Sequence, residues 1–190
     1  MITHASRLAL LVCLVLASAG CDQWTKYQAV ASLTHGLDRV EGALPRIARY
    51  LWDTHPEPSQ ALTVVEGFWR FTYAENPGAA FSFLASAWFG RWLLTAVGML
   101  AVALFFAWAL RLRRALPLLG AALILGGAIG NLFDRIRLGY VVDFVQWHYQ
   151  DRLRWPTFNV ADVWIFVGGV ILLFSLSARA RQAERVAPPA

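Results

Sequence analysis

Two aspartates in this chain stand where an ionised carboxylate is costly. Asp143 lies within Tyr140-Val141-Val142-Asp143-Phe144-Val145, and Asp162 opens an apolar run three residues after Asn159. Two carboxyls brought together at a membrane edge cannot both ionise cheaply, so one proton is shared and their titrations split apart. The ionised member can then take a proton from water while the protonated member polarises a carbonyl and later donates to a leaving nitrogen. No single helix face can join residues 143 and 162, so the fold has to do it. Asn159-x-x-Asp162 is equally the pattern of a helix cap, and spacing alone leaves that reading open.

Other polar residues cluster in the same way. Asp22 and Lys26, at i and i+4, can pair on one helix face; the plain reading is an interfacial ion pair, although Lys26 is the only lysine in the chain. Asn131, Asp134 and Arg135 follow Gly126, Gly127 and Gly130, and the Gly126-x-x-x-Gly130 spacing lets another helix approach closely. The four histidines, His4, His35, His55 and His148, show no metal-ligand spacing. Cys13 and Cys21 lie too far apart along one apolar run to bridge each other.

The elements that must carry these residues are read from composition. Of 190 residues, 58% are hydrophobic and only 15% charged, a balance that excludes a soluble globular domain, a disordered chain and a nucleic-acid-binding tail. Residues 92–110 and 115–133 run between charges for the length a helix needs to cross a bilayer. The runs 8–21 and 163–178 are shorter and must borrow a turn each, which puts Asp22 and Asp162 at the membrane edge. The four spans are therefore set at 8–28, 91–110, 115–133 and 160–178 of a single membrane domain, 1–190. Arg7, the Arg111, Arg113 and Arg114 turn, and Arg179, Arg181 and Arg185 mark one side as basic, so the positive-inside rule places both termini in the cytoplasm. Asp22, Lys26, Asn131, Asp134, Arg135, Asp143, Asn159 and Asp162 then share one outer rim.

Residues 29–90 are too long for a turn. Leu62 to Val65 and Phe68 to Tyr73 read as strands around Gly67, while 34–60, with Pro45, Pro56 and Pro58, reads as an insertion holding a short helix near 37–52. The tail 179–190 is expected to fray at Ala187–Ala190. Ser18-Ala19-Gly20-Cys21 imitates a lipidation box, but three further spans make a retained first helix the better reading. A transporter would need polar groups at mid-membrane, and 92–110 offers only Thr95.

Five blocks occur in order: Asp22-Gln23-Trp24-Thr25-Lys26, Asn76-Pro77-Gly78-Ala79-Ala80-Phe81-Ser82, the run from Gly126 to Arg135, Val141-Val142-Asp143-Phe144, and Phe158-Asn159-Val160-Ala161-Asp162. In these blocks the chain resembles lipoprotein signal peptidase, the bacterial signal peptidase II family, over about residues 8–178. The resemblance implies a mainly α membrane fold of four transmembrane helices, N-in and C-in, with a small periplasmic β-cradle and a short periplasmic helix, placed in the loop 134–159. It implies Asp143 and Asp162 as the catalytic pair of an aspartyl protease. Asn76, Gly78, Asn131, Arg135 and Asn159 would bind substrate or support the dyad, and Asp22, Lys26 and Asp134 would be structural. It also implies prolipoprotein substrates bearing diacylglyceryl-cysteine, a membrane-lipid environment, no cofactor or metal, no nucleic acid, a monomer, and an inner-membrane site near the periplasmic face. The stretch 34–60 departs from the family pattern and is expected to alter substrate access.

Overall fold

The computed structural model describes residues 4–78 and 90–186; Ala79, Ala80, Phe81 and Ser82 of the second block, and the tail Ala187–Ala190, lie outside them. Within the described residues, five helices and four strands follow in the order α1 (His4–Leu33), α2 (Ala43–Trp52), β1 (Leu62–Val65), β2 (Trp69–Asn76), α3 (Gly90–Ala109), α4 (Ala115–Arg137), β3 (Val141–Tyr149), β4 (Leu153–Arg154) and α5 (Val160–Val186). Four of the helices, α1, α3, α4 and α5, are long and apolar enough to cross a membrane. Each overlaps an expected span, and α1 and α4 run on past theirs, carrying the polar residues Asp22, Lys26, Asn131 and Asp134 within them.

α4 is the central helix, and its glycines set how closely its neighbours approach. Gly126 and Gly130 face Ser18 and Asp22 of α1, and a Cβ at either position would collide with those side chains. The four-residue glycine period thus matches the four-residue step from Ser18 to Asp22. Gly127 faces the other way, where its missing Cβ leaves room for the Ala161 carbonyl of α5. At the opposite end of the bundle, Leu11 and Val15 of α1 pack with Ala109 of α3 and Leu118, Ala121, Ala122 and Leu125 of α4 in one buried cluster.

The four strands form one antiparallel sheet in the order β1-β2-β3-β4, resting on the far end of α1. Ala29, Val30 and Leu33 bury against Leu37, Tyr50, Tyr73, Leu138, Tyr140, Val142 and Phe144. Pairing sets Ala74 opposite Asp143 and Asn76 opposite Val141. The short helix expected within 134–159 is not there: that segment holds the end of α4, then β3 and β4. β-branched and aromatic residues from Tyr140 to Tyr149 favour an extended, half-buried strand over a helix. Among the described residues, the short helix outside the spans is α2, which falls within the stretch 34–60.

That stretch leaves and rejoins the fold at one place. Thr34 bridges Pro58, and the Ser59 N–H donates to the Leu33 carbonyl at 2.8 Å. The excursion is fastened along its length. Tyr50 packs edge-on against Tyr27 with centroids 5.5 Å apart, Arg137 donates to the Tyr50 carbonyl, and the His55 N–H donates to the Tyr140 hydroxyl at 2.9 Å.

Candidate active site

Asp143 sits near the start of β3 and Asp162 on the first turn of α5, and a short piece of backbone brings them together. The Phe158 carbonyl accepts from the N–H groups of Phe144 and Val145, and the Phe158 N–H donates back to Val145. This bridge lays the residues just before α5 along β3, so Asn159 falls beside Asp143. Asn159 Nδ2 donates to Asp143 Oδ1 at 2.7 Å, while the Asn159 backbone N–H donates to Asp162 Oδ2 at 3.1 Å. The Asp162 N–H returns the bond to Asn159 Oδ1 at 3.1 Å. The helix cap and the carboxyl pair are therefore one arrangement: Asn159 and Asp162 cap α5 reciprocally, and the cap delivers Asp162 next to Asp143.

Two more asparagines complete the shell. Asn76 Nδ2, from the end of β2, donates to Asp143 Oδ2 at 3.0 Å; Asn131 Nδ2, from α4, donates to Asp162 Oδ1 at 3.0 Å. An amide's two ends can be told apart only by its partners, and here each oxygen end meets a group that can only donate. Asn76 Oδ1 accepts from the Gly78 N–H at 3.0 Å, Asn159 Oδ1 from the Asp162 N–H, and Asn131 Oδ1 from the Lys26 ammonium at 2.8 Å. All three nitrogen ends are thereby aimed at the two carboxyls.

Asp143 is 1% exposed. Burial pushes its carboxyl up to about 7, the donated bonds from Asn76 and Asn159 pull it down, and the nearby Asp162 raises it. A carboxyl titrating there can give and take a proton near neutrality. Asp162 is half-buried and, with Asn131 and Arg135, lines a cavity of about 480 Å³ between α3, α4 and α5. Apolar residues, among them Val102, Phe105 and Ile165, make up most of its wall. Of the two carboxyls, Asp162 thus meets a largely apolar space, with the Arg135 guanidinium on the same wall.

All ten residues singled out from the sequence lie in one connected region. Lys26, fully buried, reaches Asp22 Oδ2 and Asp134 Oδ2, each at 2.8 Å, and its bond to Asn131 joins this triad to the dyad. Arg135 folds back on its own helix turn, donating to the Asn131 carbonyl at 3.5 Å. Residues the sequence reading passed over also take part. Gln23 Nε2 donates to Asp134 Oδ1 and the Gly130 carbonyl, both at 3.1 Å, and its Oε1 accepts from the Tyr50 hydroxyl at 3.0 Å. Arg137 approaches Asp134 Oδ1 at 3.4 Å with its guanidinium over the Tyr50 ring. Gln23 lies inside the first sequence block, which was the available signal; Tyr50 and Arg137 carried none. Among the described residues no cluster of His, Cys, Asp and Glu has the geometry of a metal centre.

Residues 14–178 match the family model described as signal peptidase (SPase) II. A lipoprotein signal peptidase from Anaeromyxobacter sp. (strain Fw109-5) is 39% identical over 178 residues, covering 88% of this chain and 84% of that relative. One from Cellvibrio japonicus (strain Ueda107) is 49% identical over 117 residues, covering 60% and 68%. Two solved structures of a bacterial membrane enzyme, determined by the in meso method at 1.9 and 2.3 Å, share the fold. Their TM-scores are 0.61 and 0.60, with 22% and 20% identity, covering 88% and 96% of this chain and 92% and 94% of theirs.

Proposed function

The chain belongs to the signal peptidase II family, and from that premise we propose that it is an aspartic endopeptidase of the bacterial inner membrane. It removes the signal peptide from prolipoproteins bearing diacylglyceryl-cysteine, cutting just before the modified cysteine. One observation carries this reading. A single asparagine, Asn159, holds Asp143 through its side chain and Asp162 through its backbone, and Asp162 lines a largely apolar cavity between spans.

The chemistry follows from the two environments. Asp143, buried and lifted to about 7, carries the shared proton. Asp162 faces the cavity and takes a proton from the attacking water. Asp143 polarises the scissile carbonyl and then passes its proton to the leaving nitrogen, so the pair ends with the proton exchanged and no covalent intermediate. Asn76, Asn131 and Asn159 hold the carboxyls, Arg135 lies at the rim where it can bind substrate backbone, and Gly78 fixes Asn76. No cofactor enters these steps.

Depth makes the site suit this substrate. A diacylglyceryl group keeps its cysteine at headgroup level, and the dyad lies where spans α4 and α5 meet the sheet. Both termini lie in the cytoplasm, the sheet and α2 in the periplasm, and one copy of the chain suffices.

The test is cleavage of a diacylglyceryl-modified prolipoprotein in liposomes by wild type, Asp143→Asn and Asp162→Asn, each checked for insertion and folding. Activity in the wild type that is lost in both folded variants and indifferent to a chelator is expected; full activity in either variant removes that aspartate from the mechanism.

A further inference from the structure

The buried triad Asp22–Lys26–Asp134 touches the backbone at two places beyond its own members. Asp22 Oδ1 accepts the N–H of Ala161 at 3.0 Å, and Asp134 Oδ2 accepts the N–H of Val142 at 3.2 Å. Ala161 immediately precedes Asp162, and Val142 immediately precedes Asp143. Each acid of the triad therefore grips the residue just before one aspartate of the dyad, and the Lys26 ammonium, 2.8 Å from both acids, draws the two grips together. Its third bond orients Asn131 toward Asp162. All three triad side chains are fully buried, so no water competes for these contacts and their lengths are set by packing.

We propose that Asp22, Lys26 and Asp134 are positioning residues that fix the separation of Asp143 and Asp162, rather than a tie between helices alone. This rests on the reading of Asp143 and Asp162 as the catalytic pair. A bond between α1 and α4 would need only one acid and the lysine. The second acid, and the placement of both on the backbone just before an aspartate, have no use in joining helices. Strand β3 and helix α5 come from different parts of the fold, and their relative position is what a shared proton depends on. The triad couples them through α1 and α4 without touching either reacting carboxyl.

The test uses the charge-neutral double variant Asp22→Asn/Lys26→Met in the full chain. The amide oxygen introduced by Asp22→Asn can still accept the Ala161 N–H, so the double variant removes the ammonium link and leaves that backbone bond in place. The charged groups facing Asp143 are Asp162 from α5, Lys26 from α1 and Arg135 from α4. The triad's net charge is unchanged, but losing Lys26 removes a cation that lowers the Asp143 carboxyl, so charge alone would move the alkaline limb to higher pH and a move to lower pH reports geometry. The expected result is a KM within about twofold of wild type and a kcat per folded molecule on the order of 100-fold lower, as a displacement near 1 Å produces. The alkaline limb is expected at lower pH, because a more distant Asp162 raises Asp143 less. Lys26→Met alone should show the same kcat loss with a larger fall in Tm, since it leaves two buried acids without their cation.

A purely structural role lowers Tm and the yield of folded protein while leaving kcat per folded molecule in place and the alkaline limb unmoved or at higher pH; that result in the double variant overturns the proposal. Wild-type cleavage that does not depend on Asp143 and Asp162 would instead overturn the catalytic reading, and Asp143→Asn and Asp162→Asn tell the two failures apart.

Discussion

Asn159 performs three tasks with one residue: it caps α5, holds Asp143, and by its backbone N–H holds Asp162. Asn159→Ala should therefore lose both stability and activity. The buried donors and acceptors left unpaired cost about 1–3 kcal/mol, read as a lower Tm, and cleavage per folded molecule should fall by roughly 100-fold. Wild-type activity has its own signature. Asp143's folded pKa is raised to about 7, so its acid form is present below that pH and lost above it. A plot of log kcat/KM against pH should bend downward near 7 and fall with unit slope; a profile that stays flat well into the alkaline range would contradict Asp143 as the acid. The aspartates were legible in the sequence because each breaks a local rule, a carboxylate in a strand of Val and Phe or at the mouth of a span. Gln23 breaks none. A glutamine at a membrane boundary is ordinary, and only the fold shows it bridging Asp134, the Gly130 carbonyl and Tyr50.

Among the elements, α4 shows how small residues place large ones. The space where Gly130 lacks a Cβ is filled by the Asp22 carboxylate, so Gly130→Ala must push Asp22 off Lys26. Overpacking of this kind costs about 1–3 kcal/mol, and thermal unfolding in detergent should show it; a Tm equal to wild type would mean α1 can shift freely. Helices were readable because a charge-free run of span length has few alternative structures in lipid. β3 was harder, since its apolar run continues through a polar end and its partner β2 lies far away in sequence; pairing across such a separation leaves no local mark. The excursion 34–60 was visible by its prolines and charges, but not its fastening by Tyr50, Arg137 and His55. Because Leu33 and Ser59 already meet, removing residues 36–58 should leave a chain that folds with reduced Tm, the loss of buried Leu37 and Tyr50 being the cause. Cleavage rates should then change unevenly among prolipoproteins; equal rates for every substrate would show that the excursion plays no part in access.

At the scale of the whole molecule, the basic turn Arg111–Arg114 and the polar dyad end lie at opposite ends of α4, about twenty residues apart, which is the thickness of a hydrocarbon core. The two-ended charge pattern predicts that single cysteines placed at Glu57 and at Arg113, in a background without Cys13 and Cys21, label from opposite sides of intact spheroplasts. Labelling of Glu57→Cys from outside and Arg113→Cys only after permeabilisation is expected, and the reverse would invert the topology. The bond from Ala161 to Asp22 spans 139 residues, and it has a consequence for synthesis. α1 enters the bilayer carrying an acid and a base whose remaining partners are still untranslated; as i and i+4 neighbours, Asp22 and Lys26 can neutralise each other while they wait. Helix α5, made after the other three spans, then supplies Asn159 and Asp162 together with the N–H that Asp22 awaits, so on the proposed reading a chain that stops short of α5 lacks half of the carboxyl pair and is expected not to cut.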